Sequence, residues 1–222
     1  MSLVLNLAFL PARLFEPKVT LLGVRLWSRC ALWGMRVFAG LKYEVHGKDN
    51  IPQGVCLVAS QHQTMWETMA LNLLFPDSAP VVKEELRRVP LYGGFLESMG
   101  AIFIDRRTAV SALKTLLDGA RTAVAGGRTV VIYPEGTRRP FGAAPSYKPG
   151  VSAAYESLGI PCVPVAHNSG LYWPGSGFRL KPGTVRVEIL PPIPPGLPRE
   201  AFNAALRKTL AEATARIRDG LA

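Results

Sequence analysis

The chain has 222 residues, 48% hydrophobic and 19% charged, with 26 Lys and Arg against 16 Asp and Glu for a net charge of +10. That length suits one domain with a substantial core, and the lack of polar low-complexity tracts excludes a disordered protein. The positive charge calls for an anionic partner (nucleic acid, an anionic membrane or a phosphorylated substrate), while three cysteines far apart, Cys30, Cys56 and Cys162, with no CxxC pair signal neither a disulfide framework nor a zinc site.

Residues 3 to 10, "LVLNLAFL", are apolar but stop at Pro11 and Arg13. The run is shorter than the ~20 residues a spanning helix needs. It also lacks the early basic region and small-residue cleavage site of a signal peptide. From Lys18 to Leu41 the pattern is helical, and at about 100° per residue Lys18, Arg25, Arg29 and Arg36 form one stripe. Leu21, Leu22, Leu26, Trp27, Leu32, Trp33, Val37 and Phe38 cover the other faces. Such a rod is either packed in the core with a solvated stripe or laid at a lipid headgroup boundary, and its two indoles favour the boundary. Residues 1–41 are therefore expected to form a membrane-associating helical segment, and 42–222 the main domain.

After Gly40 short apolar runs alternate with helical stretches. "LKYEVHG", "VCLVAS", "APVVK", "AIFID", "RTVVIYP", "PCVPVA" and "TVRVEIL" read as strands, being apolar, largely β-branched runs bounded by Gly, Pro or charge. Helical patterns fall at about 65–75, 91–99, 108–125, 149–158 and 198–219. This alternation predicts an α/β fold with a mostly parallel central sheet flanked by helices, and "PPIPPGLP" at 191–198 reads as a stiff connector to the last helix.

In such sheets ligands gather where strands end. Four polar clusters follow predicted strands: His62 to Glu67, "DRR" at 105–107, "EGTRR" at 135–139 and "HNSG" at 167–170. His62 is the natural general base, and Glu67 in the first turns of a following helix could orient it. The spacing equally allows a capping or core histidine beside a solvated acid. Arg106 and Arg138, with Lys83, Arg107, Arg139 and Lys148 as further candidates, could hold a phosphate or form a solvated basic rim. Glu135 amid these arginines would brace them or bind a substrate hydroxyl, and Gly136 allows a sharp turn or close backbone approach.

Taken together, "HQTMWE" from His62, "GAIFIDR" from Gly100, "YPEGTR" from Tyr133 and "IPCVPVA" from Ile160 resemble the four ordered blocks of the lysophospholipid acyltransferase family, the 1-acylglycerol-3-phosphate acyltransferases. The resemblance spans about half the chain. It implies that His62 deprotonates the free sn-2 hydroxyl of a 1-acylglycerol-3-phosphate, which attacks an acyl thioester to give phosphatidic acid, with Glu67 orienting the base. It further implies that Arg106 holds the substrate phosphate, that Glu135, Gly136, Thr137 and Arg138 help bind the glycerol phosphate with Lys83 and Lys148 nearby, and that strand-end amides form an oxyanion hole. No metal or cofactor is implied; acyl-CoA or acyl carrier protein serves as co-substrate. The family's acid is Asp where this chain has Glu67, one methylene longer.

A lysolipid substrate places the protein on the cytoplasmic face of the inner membrane, peripheral or monotopic, with the helix and the net charge drawing it to anionic lipid. Alternatives are an acyltransferase for another lysolipid such as lyso-ornithine lipid, and an inactive lipid-binding relative. A nucleic-acid-binding module is not expected, because the basic residues do not interleave with aromatics in a recognisable motif.

Overall fold

The computed structural model describes residues 17–90, 92–174 and 179–220, with side chains from residue 21 onward. The apolar run at 3–10, Pro11, Arg13 and the Lys18 side chain lie outside the described residues. Helix α1 (Pro17–Ala39) leads into β1 (Leu41–His46), β2 (Leu57–Ser60), α2 (Trp66–Leu74), β3 (Ala79–Lys83), α3 (Tyr92–Ser98) and β4 (Ile102–Ile104). There follow α4 (Ala109–Ala125), β5 (Val130–Ile132), α5 (Pro149–Leu158), β6 (Cys162–His167), the single turn α6 (Ser169–Tyr172), β7 (Gly183–Ile189) and α7 (Arg199–Asp219). Each strand and long helix read from the sequence is present. Two 3-10 turns, at Lys48–Asn50 and Glu84–Arg88, and α6 are additions.

The seven strands form one sheet in the order β1-β7-β6-β2-β5-β3-β4. All neighbours are parallel except β6 and β7, which are antiparallel. Alternation along the central strands divides the core between the faces. Leu57, Ala59, Val130, Ile132, Cys162 and Ala166 face α4, α5 and α7, where Leu116, Tyr155, Phe202 and Leu210 are buried. Val58, Val131, Val163 and Val165 face α1 and α2, against Leu32, Trp66 and Met69. The result is a three-layer sandwich whose central strands are apolar on both sides, as a parallel sheet covered by helices requires.

Local chemistry sets the element ends. The Thr108 hydroxyl accepts from Ser111 N at 3.0 Å and caps α4. Pro149 opens α5, and Gly159 at φ 60° ends it in the left-handed conformation. Pro164 lies inside the central strand β6, where a missing N–H normally disrupts pairing. Its carbonyl accepts from Leu190 N, so its nitrogen also faces the β7 side, between the β6–β7 ladder that starts at Val165 and the Cys162–Ile193 bridge. The Pro-rich connector is tied down by Tyr155, whose hydroxyl donates to Pro194 O and accepts from Leu197 N.

Helix α1 packs against α2 and α3. Val24, Ser28 and Leu32 are buried, and Trp27 meets Phe95 edge-on with centroids 6.5 Å apart. Its outer face carries exposed Leu22, Leu26, Trp33, Val37 and Phe38 beside exposed Arg29 and Arg36. The expected cationic stripe is shorter than the sequence suggests, because Arg25 turns inward to an ion pair with Asp77 at 2.9 Å. Among the described residues no helix is long and apolar enough to cross a membrane.

Candidate active site

The loops after β2, β4, β5 and β6 meet at the carboxyl edge of the sheet. His62 follows β2 by two residues, and Glu67 stands in the first turn of α2. The turn between them brings His62 Nδ1 to 2.8 Å from Glu67 Oε1. Gln63 N and Thr64 N donate to the same oxygen, both at 2.9 Å, and the Thr64 hydroxyl donates to Oε2 at 2.7 Å. Glu67 is 1% exposed. Burial alone would raise its pKa, but the hydrogen bond and charge of His62, with the Thr64 hydroxyl, bring it down to about 2.

An ionised carboxylate can only accept, so the Nδ1 facing it carries the proton. When the ring is neutral Nε2 holds the lone pair, and it has no hydrogen-bond partner among the described residues. The ring stacks on Tyr133, which follows β5, with centroids 4.2 Å apart and planes at 25°. Arg139 N donates to His62 O at 2.7 Å. The imidazole is thus fixed in orientation and tautomer, which is what a general base needs.

Two of the cationic residues meet at the Gly136 turn. Arg106, after β4, crosses to donate to Gly136 O at 2.9 Å. Gly136 turns at φ 64°, and a Cβ there would come within 3.3 Å of Lys148 Cγ and 3.8 Å of Arg106 Nη2. Lys148 N donates to Pro134 O at 2.8 Å, which pins the start of α5 to this turn. Thr137 and Arg138 are exposed on the same turn, and Lys83 is exposed at the end of β3. Arg107 is not free to join them: it grips Asp105 through several contacts, the shortest 2.6 Å, and those bonds hold the Asp105 carboxyl well below its usual range.

Glu135 shares its cleft with Arg139. It forms no ion pair among the described residues, is 8% exposed and has a buried Oε2 without a partner. Burial pushes its pKa up to about 7, against the opposing pull of its own and His62's backbone N–H groups. With Gln61, Gln63, Arg139, Tyr147 and Thr214 it lines a cleft of about 160 Å3 on the α7 side of the edge. The His62 ring is not in that lining; it lies with Tyr133, on the α2 side.

The "HNSG" cluster, to which the sequence assigned no role, underlies the His62 turn. His167 is buried, its Nε2 donates to Gln61 O at 2.9 Å, and burial lowers its pKa so that it is neutral. Gln63 Nε2 donates to His167 O at 2.6 Å, Gly170 N donates to Gln63 Oε1 at 2.8 Å, and the Ser169 hydroxyl reaches Glu67 Oε2 at 3.2 Å. The position of this cluster after a strand was the only available signal. Among the described residues no group of three or more His, Cys, Asp or Glu side chains is placed to hold a metal ion.

Residues 42–168 match the family model described as Acyltransferase. The chain is 42% identical over 168 residues to the 1-acyl-sn-glycerol-3-phosphate acyltransferase of Pseudomonas aeruginosa, covering 76% of this chain and 65% of that one. The protein of the same name in Saccharomyces cerevisiae is 30% identical over 171 residues, 75% of this chain and 56% of the relative. The chain therefore spans somewhat less than two thirds of these relatives' lengths. Its fold is similar to that of the 1-acyl-sn-glycerophosphate acyltransferase PlsC from Thermotoga maritima, with a TM-score of 0.74 over 91% of this chain and 81% of that one, at 23% identity.

Proposed function

This chain belongs to the Acyltransferase family, and from that premise we propose that it transfers an acyl group from an acyl thioester to the sn-2 hydroxyl of 1-acyl-sn-glycerol-3-phosphate, giving phosphatidic acid. The observation that carries this reading is the His62–Glu67 pair, with Nδ1 bonded to a buried carboxylate and Nε2 left unpartnered. The relatives' name supports the choice of acceptor.

In this reading Nε2 of His62 takes the proton of the acceptor hydroxyl as its oxygen attacks the thioester carbonyl carbon. The C–O bond forms, the C–S bond breaks, and the proton passes from the imidazolium to the departing thiolate. Glu67 stays ionised throughout and stabilises the imidazolium. The acceptor phosphate is held by Arg106 and Arg138, with Lys148 and the Thr137 hydroxyl around the Gly136 turn and Lys83 at the end of β3; a guanidinium matches two phosphate oxygens at once. Glu135 serves substrate binding from the neighbouring cleft rather than at the phosphate, since a carboxylate there would repel it. The donor is acyl-CoA or acyl carrier protein, and the chemistry needs no cofactor.

The lipid acceptor enters from a membrane. The apolar outer face of α1, flanked by Arg29 and Arg36, suits peripheral attachment to an anionic bilayer on the cytoplasmic side, where thioester donors are found. The test is an acceptor panel on liposomes with a labelled thioester. Lysophosphatidate is expected to be acylated at least about tenfold faster than lyso-ornithine lipid or lysophosphatidylcholine, since only it presents a phosphate monoester to the arginines. Equal rates on all three would refute the proposed phosphate site.

A further inference from the structure

Glu67 occupies a position that resembles the family's aspartate with one more methylene and one more rotatable bond. A longer acid has more ways to place its carboxylate, so something must restrict it. Its donors in residues 62–64 all belong to the same turn as the histidine it serves: His62 Nδ1 at 2.8 Å, Gln63 N at 2.9 Å, and Thr64 N and Oγ1 at 2.9 and 2.7 Å. Those bonds hold the acid to the turn, but they do not hold the carboxylate to the sheet.

The turn is tied to the end of β6 through Gln63, which donates to His167 O and accepts from Gly170 N; for the carboxylate itself the Ser169 hydroxyl supplies the link. It lies beyond the end of β6, 3.2 Å from Glu67 Oε2 and 3.0 Å from Thr64 Oγ1. Thr64 and Ser169 are each 1% exposed. Ser169 is itself fixed, because its N–H points to His167 Nδ1 at 3.4 Å and its carbonyl accepts from Trp173 N at 3.0 Å. His167 in turn bonds the Gln61 carbonyl beside the base. Among the described residues no other donor to Glu67 comes from outside residues 62–64. Residue 169 also falls just past the stretch matched by the family model, which ends at 168.

We propose that Ser169 is a positioning residue for Glu67: it anchors the longer carboxylate to the end of β6, and through it sets the orientation of His62. This rests on His62 being the base. A buried hydroxyl bonded to an ionised acid also removes a rotation that a flexible side chain would otherwise keep.

The test is a double-mutant cycle in the full chain. Ser169→Ala is expected to lower kcat by about ten- to a hundredfold, the worth of one hydrogen bond to a charged group. KM for both substrates should not change. In the Glu67→Asp background the shorter acid does not reach Ser169, so the same substitution should cost less than about threefold. An unchanged kcat, or an equal loss in both backgrounds, would overturn the proposal. A general loss of stability would act alike in both, which separates it from positioning. The proton resonance of His62 Nδ1–H reads the contact without turnover: it should shift in Ser169→Ala, and an unmoved resonance would equally reject the role. If the unsubstituted protein transfers no acyl group, the function reading fails while this resonance still decides the anchor.

Discussion

Two buried glutamates at the same edge of the sheet have opposite acid–base behaviour, set by whether the hydrogen bonds and charges around each carboxylate outweigh its burial. At Glu67 burial is outweighed by the hydrogen bond from His62, the two histidines beside it and the Thr64 hydroxyl, and its pKa falls to about 2. Glu135 keeps one oxygen without a partner, and burial lifts it to about 7. The consequences for stability have opposite signs. Glu67 is ionised in the folded state down to about 2 but protonates near 4.5 when unfolded, so its contribution is complete above 4.5 and is lost as the pH falls towards 2. Glu135 holds its proton in the folded state up to about 7 but releases it near 4.5 when unfolded, so stability falls as the pH rises through that window and stays reduced above it. Two to three pKa units correspond to about 3 kcal/mol. Glu135→Gln should therefore gain up to about 3 kcal/mol in urea unfolding at pH 8 and nothing at pH 4. The same difference at both pH values would show that the carboxylate's charge is not the cause.

At the scale of elements, α1 has the least ordinary surface. Trp33 is 62% exposed on the same side as Leu22, Leu26 and Val37, and the 85% exposed Phe38 ring meets Trp33 edge-on with centroids 6.4 Å apart. A contiguous apolar face of this kind marks an interaction site. Burying a single such side chain in lipid is worth about 1.5 to 3 kcal/mol. The triple substitution Leu26→Ser, Trp33→Ser, Phe38→Ser is expected to weaken sedimentation with anionic vesicles by at least about tenfold, leaving helix content intact because none of the three packs in the core. Undiminished vesicle binding would assign the attachment elsewhere. The amphipathic rod was legible in the sequence from its helical period. The inward turn of Arg25 was not, since its partner Asp77 is 52 residues away and on another element. The strands were equally legible, because "VVIYP" and "CVPVA" are short apolar runs with hard stops. What no run of residues displays is the reversal of β7 against β6, or the register that sets Ser60 beside Val165.

That register matters for the whole molecule. Pairing β2 with β6 and β5 delivers His62, Tyr133 and Ser169 to one edge of the sheet, while α1 and α2 cover one face and α4, α5 and α7 the other. Candidate residues His62, Glu67, Arg106, Gly136 and Lys148 could be named in advance from residue type and order. The buried layer beneath them, Thr64, Gln63, His167 and Ser169, could not, because it exists only once two distant loops are brought together. The cleft that Glu135 shares with Arg139 and Arg218 on the α7 side was likewise not legible, because Arg218 comes from the last helix. On the proposed function, this edge is built around one base and one orienting acid. The most direct measurement is phosphatidate formation from labelled acyl thioester and lysophosphatidate in liposomes, comparing the protein with His62→Ala and Glu67→Gln. His62→Ala is expected to fall by at least about 1,000-fold and Glu67→Gln by about 100-fold or more, because a base is removed or its orienting charge is lost. Undiminished turnover in His62→Ala would contradict it.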